Sequence, residues 1–247
     1  MLLTPRQQQN LRGIGIPLWQ TRQPSLPQPK VSGPPVTETQ QETIPAPVVK
    51  TEKTIQQIIQ TFTLDNWDQT HQSIELCTNC ALAQSCTRKV PGKGNQEADL
   101  MIIGEAPGRD EDLQGKPFVG RAGQLLDQML KAIGLSTESV YISNILKCRP
   151  PNNRDPKAEE VSACYPFLQA QIKQIQPKLI LSVGRISAQN LLQDHSPVGK
   201  LRNQQHVLPG SDIPLIVTYH PAYLLRSPSE KAKVWQDLKA VHKLLKS

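Results

Sequence analysis

Four cysteines are the residues whose type and spacing most clearly could do chemistry. Cys77 and Cys80 form a Cys-x-x-Cys pair that can place two thiolates on one metal or cluster. Cys148 and Cys164 lie far downstream, flanking a proline-rich loop and the start of a helical stretch. Four thiolates drawn from two separated segments make a closed site. It would tie the chain before the first apolar run to the chain after the second. Zinc and a [4Fe–4S] cluster both accept four cysteines, and spacing does not choose between them. Unligated buried thiols are the plainer alternative. Cys86 is read as a non-ligand, because Cys77 and Cys80 already supply the local pair. Disulfides are not expected in a chain whose start, MLLTPRQQQN, shows no secretory pattern.

A second set of candidates lies at the ends of apolar runs. Gly104-Glu105-Ala106-Pro107-Gly108 follows LMIIG and is either a plain connection or a tight turn exposing N–H groups to a ligand. The acids of Arg109–Asp112, Glu111 among them, read first as a solvated face. Phe118, in the glycine-flanked loop Gly115–Gly120, either plugs the core or offers a stacking face. Asn144 sits near the end of a buried run, where an amide needs partners. An amide is also shaped to read the edge of a nucleobase. His220 closes another run just before Pro221, a position as open to a structural as to a catalytic histidine. Leu224-Leu225-Arg226 follows, pairing apolar wedges with a cation.

These residues need elements to hold them. The short apolar runs Leu100–Gly104, Val140–Leu146, Leu179–Val183 and Leu215–Tyr219 read as buried strands. Helical spacing covers Gly123–Ile133, Lys157–Ile175, Arg185–Leu192 and Ser229–Leu245. Strands alternating with helices predict an α/β fold: a three-layer α/β/α sandwich around a parallel sheet. Ligands of such sheets bind beyond the carboxyl ends of the strands. Glu105, Asn144 and His220 are all predicted to lie there.

The remainder bounds the partners. Lys and Arg number 28 against 21 Asp and Glu, a net +7 that suits a polyanion without requiring one. Aromatic residues are 4% of the chain, so the core must come from Leu, Ile, Val and Ala. No apolar run reaches the roughly 18–20 residues that span a bilayer, and an intracellular protein without membrane attachment is expected. Residues 1–53 are rich in proline and glutamine and are read as a disordered tail. LRGIGIPLW is its one adhesive patch. Helical patterning begins at Thr54, so the folded domain is placed at 54–247.

From about Trp67 onward the sequence resembles the family 4 uracil-DNA glycosylases. The resemblance is carried by CTNCALA, VPGKGNQEADLMIIGEAPGRDEDLQGKPFVGRAGQLLD, VYISNILKCRPPNNRDP and TYHPAYLLR. It implies a four-stranded parallel sheet between helices, and a [4Fe–4S] cluster on Cys77, Cys80, Cys148 and Cys164. It also implies that Glu105 and Ala106 contact uracil, Phe118 stacks on the flipped base, Asn144 reads its edge and His220 donates to its carbonyl oxygen. Pro221–Arg226, with Leu224, Leu225 and Arg226, resembles the segment that enters the duplex. The position of the water-positioning aspartate of another branch is occupied by Ala106, which leaves Glu105 and Glu111 as candidate carboxylates. KCRPPNNRDP contains no histidine, so turnover rather than covalent trapping is expected. Uracil-containing DNA is the implied substrate of a monomeric enzyme of base excision repair, placed in the cytoplasm at the nucleoid. Replication or repair proteins are candidate partners of the tail. The alternative reading is a non-catalytic DNA-binding module attached to replication proteins. A zinc-stapled domain for an unrelated small ligand is a third.

Overall fold

The computed structural model describes residues 64–246. The expected tail at 1–53 and the helix from Thr54 to Phe62 lie outside the described residues. Helix α1 (Trp67–Leu76) and the short α2 (Leu82–Ser85) come first, then strands β1 (Lys93–Gly94) and β2 (Leu100–Gly104). Helices α3 (Arg109–Gln114) and α4 (Arg121–Lys131) lead to β3 (Tyr141–Asn144). Beyond it lie α5 (Ala158–Ile175), β4 (Leu179–Val183), α6 (Arg185–Leu192), α7 (Val198–Leu201) and β5 (Gln205–Val207). Strand β6 (Pro214–Thr218), α8 (Pro221–Arg226) and α9 (Lys231–Leu245) end the domain.

The sheet order is β1-β3-β2-β4-β6-β5. Its inner four strands are parallel, with Gly104 opposite Asn144 and Val183 opposite Thr218. The expected parallel quartet is therefore present, but β1 and β5 extend it at both edges as antiparallel additions. Both edge strands are too short, and too exposed, to leave a periodic signal in the sequence.

Every residue of β2 and β4 is buried, as a sheet covered on both faces requires. Alternation divides the core. Leu100 and Ile102 face α4 and α9, packing with Leu126, Leu130, Val234 and Leu238. Met101 and Ile103 face α5 and α6, packing with Leu168, Ile172 and Ala188. Helix α5 starts where Lys157 caps it, its backbone N–H donating to Glu160 Oε2 at 2.9 Å. Because the inner strands are parallel and in register, the chain leaves β2, β3 and β6 at one sheet edge.

Candidate active site and thiol cluster

At that edge lies a cleft of about 430 Å³. Glu105, Ala106, Glu111, Phe118, Asn144, His220 and Arg226 line it. Sequence-predicted residues from four separate segments thus meet in one place.

The turn after β2 is held by its neighbour strand. The N–H of Ile145 donates to Gly104 O at 2.9 Å and that of Leu146 to Glu105 O at 3.0 Å. Asn144 is 2% exposed, and its Oδ1 has no hydrogen-bond partner. An orphaned buried acceptor costs about 1–3 kcal/mol unless something binds it. Gly104 makes room for this amide: a Cβ there would lie 2.4 Å from Asn144 Oδ1 and 3.1 Å from the Phe118 ring.

Phe118 adopts a left-handed backbone, φ 50°, which costs a non-glycine residue about 1–3 kcal/mol. Three contacts hold it there. Glu111 Oε1 accepts the N–H groups of Val119 and Gly120 at 2.9 and 3.1 Å. Lys93 Nζ donates to Phe118 O at 3.4 Å. Gly123, without a side chain, lets that carbonyl approach helix α4. The Phe118 ring belongs to the core and also lines the cleft. It stacks on the His220 ring, with centroids 5.6 Å apart and planes 27° from parallel.

His220 caps α8, its Nδ1 accepting the Ala222 N–H at 3.1 Å. The proton of the neutral ring must therefore sit on Nε2. Burial, and then the Arg226 guanidinium, pull the imidazole pKa down to about 4 against a weaker opposing pull from Glu111. The ring is neutral at physiological pH and presents an N–H donor. The Glu105 carboxylate, unlike that of Glu111, clamps no backbone N–H of the Phe118 loop. Burial first, and Asp155 second, raise its carboxyl above the usual range, while Arg185 opposes them.

The segment expected to enter DNA divides in two. Leu224 is 1% exposed and packs in the core, because α8 turns it toward the sheet. Packed there, Leu224 is not free to act as a wedge in this conformation. Leu225, Tyr223 and Arg226 form the exposed part. Tyr223 lines the cleft, as do Pro150, Asn153 and Arg154, and sequence reasoning singled out none of them. A signal for the last three was present in PPNNR. Asn152 and Asn153 both take positive φ, 55° and 52°, a conformation that asparagine tolerates well and that folds this loop back.

Behind Asn144 the four cysteines line one small cavity, walled by Ile74, Leu82, Leu146 and Phe167. The Lys147 N–H donates to Cys164 Sγ at 3.3 Å. Burial pushes the thiols of Cys77 and Cys164 upward, the latter to about 11. Such a pocket favours neutral thiols until a cationic group compensates the thiolates. Cys86 does not line the cavity; its thiol hydrogen-bonds that of Cys148.

The uracil DNA glycosylase superfamily matches residues 91–239 of this chain. A type-4 uracil-DNA glycosylase of Archaeoglobus fulgidus is 42% identical over 187 residues, which cover 73% of this chain and 94% of that protein. Pyrobaculum aerophilum offers a comparison within one organism. Its type-4 uracil-DNA glycosylase is 41% identical over 68% of this chain and 89% of its own length. Its type-5 uracil-DNA glycosylase is 28% identical over 56% of this chain and 67% of its own length.

Because the folded-state pKa of His220 lies below the ordinary 6.5, the unfolded chain takes up this proton first as pH falls. The site therefore costs no stability above about pH 6.5, and destabilises the fold progressively from there down to about pH 4. Nitrogen-15 spectra of the imidazole should show an Nε2-protonated neutral ring from pH 8 to 5, titrating near 4. A midpoint near 6.5 would contradict this placement.

Proposed function

The chain belongs to the type-4 branch of the uracil-DNA glycosylase superfamily, and from this premise we propose how its cleft receives and releases uracil. It is a DNA repair enzyme that hydrolyses the N-glycosidic bond between uracil and deoxyribose. The bond is out of reach inside a duplex, so the nucleotide must be extruded at a cost of a few kcal/mol, least for a U·G mismatch.

The observation that carries the assignment of residues is the orphaned Oδ1 of Asn144, in the same cleft as Phe118 and His220. Uracil offers an N–H at position 3 and an acceptor at position 4, matching the Oδ1 and Nδ2 of one amide. Cytosine presents the reverse at both positions, leaving the buried amide unpaired. Phe118 covers the base face, and stacking of this kind contributes about 1–3 kcal/mol per base. His220 donates its Nε2–H to O2 of the departing base. A neutral donor held by the Ala222 N–H is already oriented when negative charge develops there, and needs no proton taken from solvent.

Glu105 is the better placed of the two candidate carboxylates. Its neighbourhood makes it more basic than usual, whereas Glu111 spends one oxygen on the Phe118 loop. In this reading Glu105 orients water toward the sugar and steadies its positive charge. Glu111 serves by positioning Phe118. Ala106 contributes cleft wall beside the base. Leu225 and Arg226, with Tyr223, occupy the gap left by the flipped nucleotide.

Cys77, Cys80, Cys148 and Cys164 hold a [4Fe–4S] cluster in this proposal. The donor set suits it: four thiols surround a common cavity in an apolar wall, with a backbone N–H already directed at one sulfur. Zinc also accepts four thiolates, and the choice of the cluster follows the branch of the superfamily to which the chain belongs. When bound, the group supplies structural cross-linking between α5 and the loops after α1 and β3. We place the enzyme in the cytoplasm, at the nucleoid, as a monomer. On composition alone, residues 1–53 are its contact with replication or repair proteins. Among the described residues no helix is long and apolar enough to cross a membrane.

A duplex with one U·G pair, treated with enzyme and then alkali, should break at the uracil. His220→Ala should lower kcat by about 100- to 1000-fold, the usual loss for one aimed donor, and Asn144→Ala should lose most activity, both with an unchanged circular dichroism spectrum. Full activity in either variant would remove that residue from the site. Anaerobically purified protein should be brown, with four irons per chain on metal analysis. Colourless protein with stoichiometric zinc would refute the cluster.

A further inference from the structure

Lys147 lies between the thiol quartet and the base-reading strand end, and the glycosylase reaction makes no use of it. It is 2% exposed. Its Nζ donates to Ser143 Oγ at 2.7 Å, to Gln171 Oε1 at 2.8 Å and to the backbone oxygen of Asn144 at 2.9 Å. Three donors of one ammonium are thus matched by three acceptors, and all three acceptors are neutral. The network closes on itself. Ser143 Oγ donates to Gln171 Oε1 at 2.9 Å, and Gln171 Nε2 donates to Pro91 O at 2.8 Å and Tyr141 Oη at 3.3 Å.

A buried cation without an anion is expensive, because three neutral dipoles replace only part of its hydration. The carboxylates buried among the described residues are all engaged elsewhere. Asp112 accepts from the N–H groups of Thr87 and Arg88, Glu160 binds Arg154, and Asp237 binds Arg202 and Thr218. The thiol of Cys164 is an ionisable group that this lysine touches. The backbone N–H of the same lysine donates to that sulfur, and the next residue is Cys148. An iron–sulfur cluster on four thiolates carries net negative charge, so it supplies the missing anion.

We propose that Lys147 is the internal counter-cation of the cluster and a positioning residue for Asn144, its backbone N–H meeting Cys164 Sγ and its ammonium meeting the Asn144 carbonyl. The proposal rests on the reading of Cys77, Cys80, Cys148 and Cys164 as cluster ligands. It explains why a lysine, which elsewhere keeps its head in water, is wholly enclosed here. It also gives the cluster a mechanical consequence. Its charge holds the ammonium, and the ammonium holds the carbonyl of the residue that reads the base.

Lys147→Gln and Lys147→Arg test this in the loaded enzyme. The glutamine amide still donates hydrogen bonds but carries no charge; arginine keeps the charge. Protein-film voltammetry, with the electrode supplying the electron, gives the cluster midpoint potential, and a ferrous chelator gives the rate of iron loss. Removing a nearby cation makes adding an electron harder. Lys147→Gln should therefore shift the potential to more negative values, lose iron several-fold faster, and slow single-turnover uracil release. Lys147→Arg should stay close to wild type in potential and iron retention. Failure of a folded Lys147→Gln protein to keep iron at all is the same result in stronger form. A Lys147→Gln protein with wild-type potential and iron retention overturns the proposal, whatever its cleavage rate. Wild-type protein without iron would instead overturn the cluster reading itself, so the two failures are distinct.

Discussion

The site depends on the backbone pairing of β2 with β3 and its continuation past both strand ends. Gly104 lies opposite Asn144, and the bonds from Ile145 to Gly104 and from Leu146 to Glu105 carry the pairing into the loops. Those bonds fix the turn that bears Glu105 and Ala106 relative to the amide of Asn144. They also deliver the chain directly to Cys148. Shifting the pairing by one residue would reverse every side chain of β3. Asn144 would leave the cleft, and Tyr141 and Ile142 would face the wrong layers. Hydrophobic alternation in the core therefore guards the geometry of the site.

Several features of the cleft oppose stability, and each has a counterpart that holds it. The orphaned amide oxygen of Asn144 and the left-handed backbone of Phe118 cost about 1–3 kcal/mol apiece. The enclosed ammonium of Lys147 adds to these. Against them stand two full core layers, the Glu111 clamp on the Phe118 loop and the thiol cavity behind β3. Pre-organisation of this kind suits catalysis that depends on aimed dipoles more than on movement. The histidine follows the same logic. Its depressed pKa withholds a positive charge from the resting site, yet leaves an N–H donor on a ring that lines the cleft.

Much of this was legible in the sequence, because the strongest signals are the ones that burial enforces. Continuous apolar runs such as LMIIG and LILSV, too short for helices, suit doubly covered strands, and parallel order then places Glu105, Asn144 and His220 at one edge. The edge strands Lys93–Gly94 and Gln205–Val207 were not legible, since neither buries enough to show a period. The end of β3 was read two residues too far, because Ile145 and Leu146 stay buried after the strand ends. The burial of Leu224 was not legible for a related reason. Two adjacent leucines look alike in sequence, but on helix α8 they face opposite environments. The contributions of Tyr223 and Arg154 depend on loops whose path no local pattern fixes. Lys147 was hidden by its type, for a lysine is ordinarily read as surface.

The central claim is that Asn144 and His220 form a ready-made reader for uracil, braced from behind by the cysteine-lined layer. Its most direct test is a titration of the isotope-labelled protein with free uracil, followed through the Asn144 side-chain amide and the His220 imidazole. Uracil should move both the Asn144 Nδ2–H resonances and the His220 Nε2–H, and cytosine at equal concentration should leave them in place. Uracil binding that moves neither group, or cytosine moving both as far, would contradict the account.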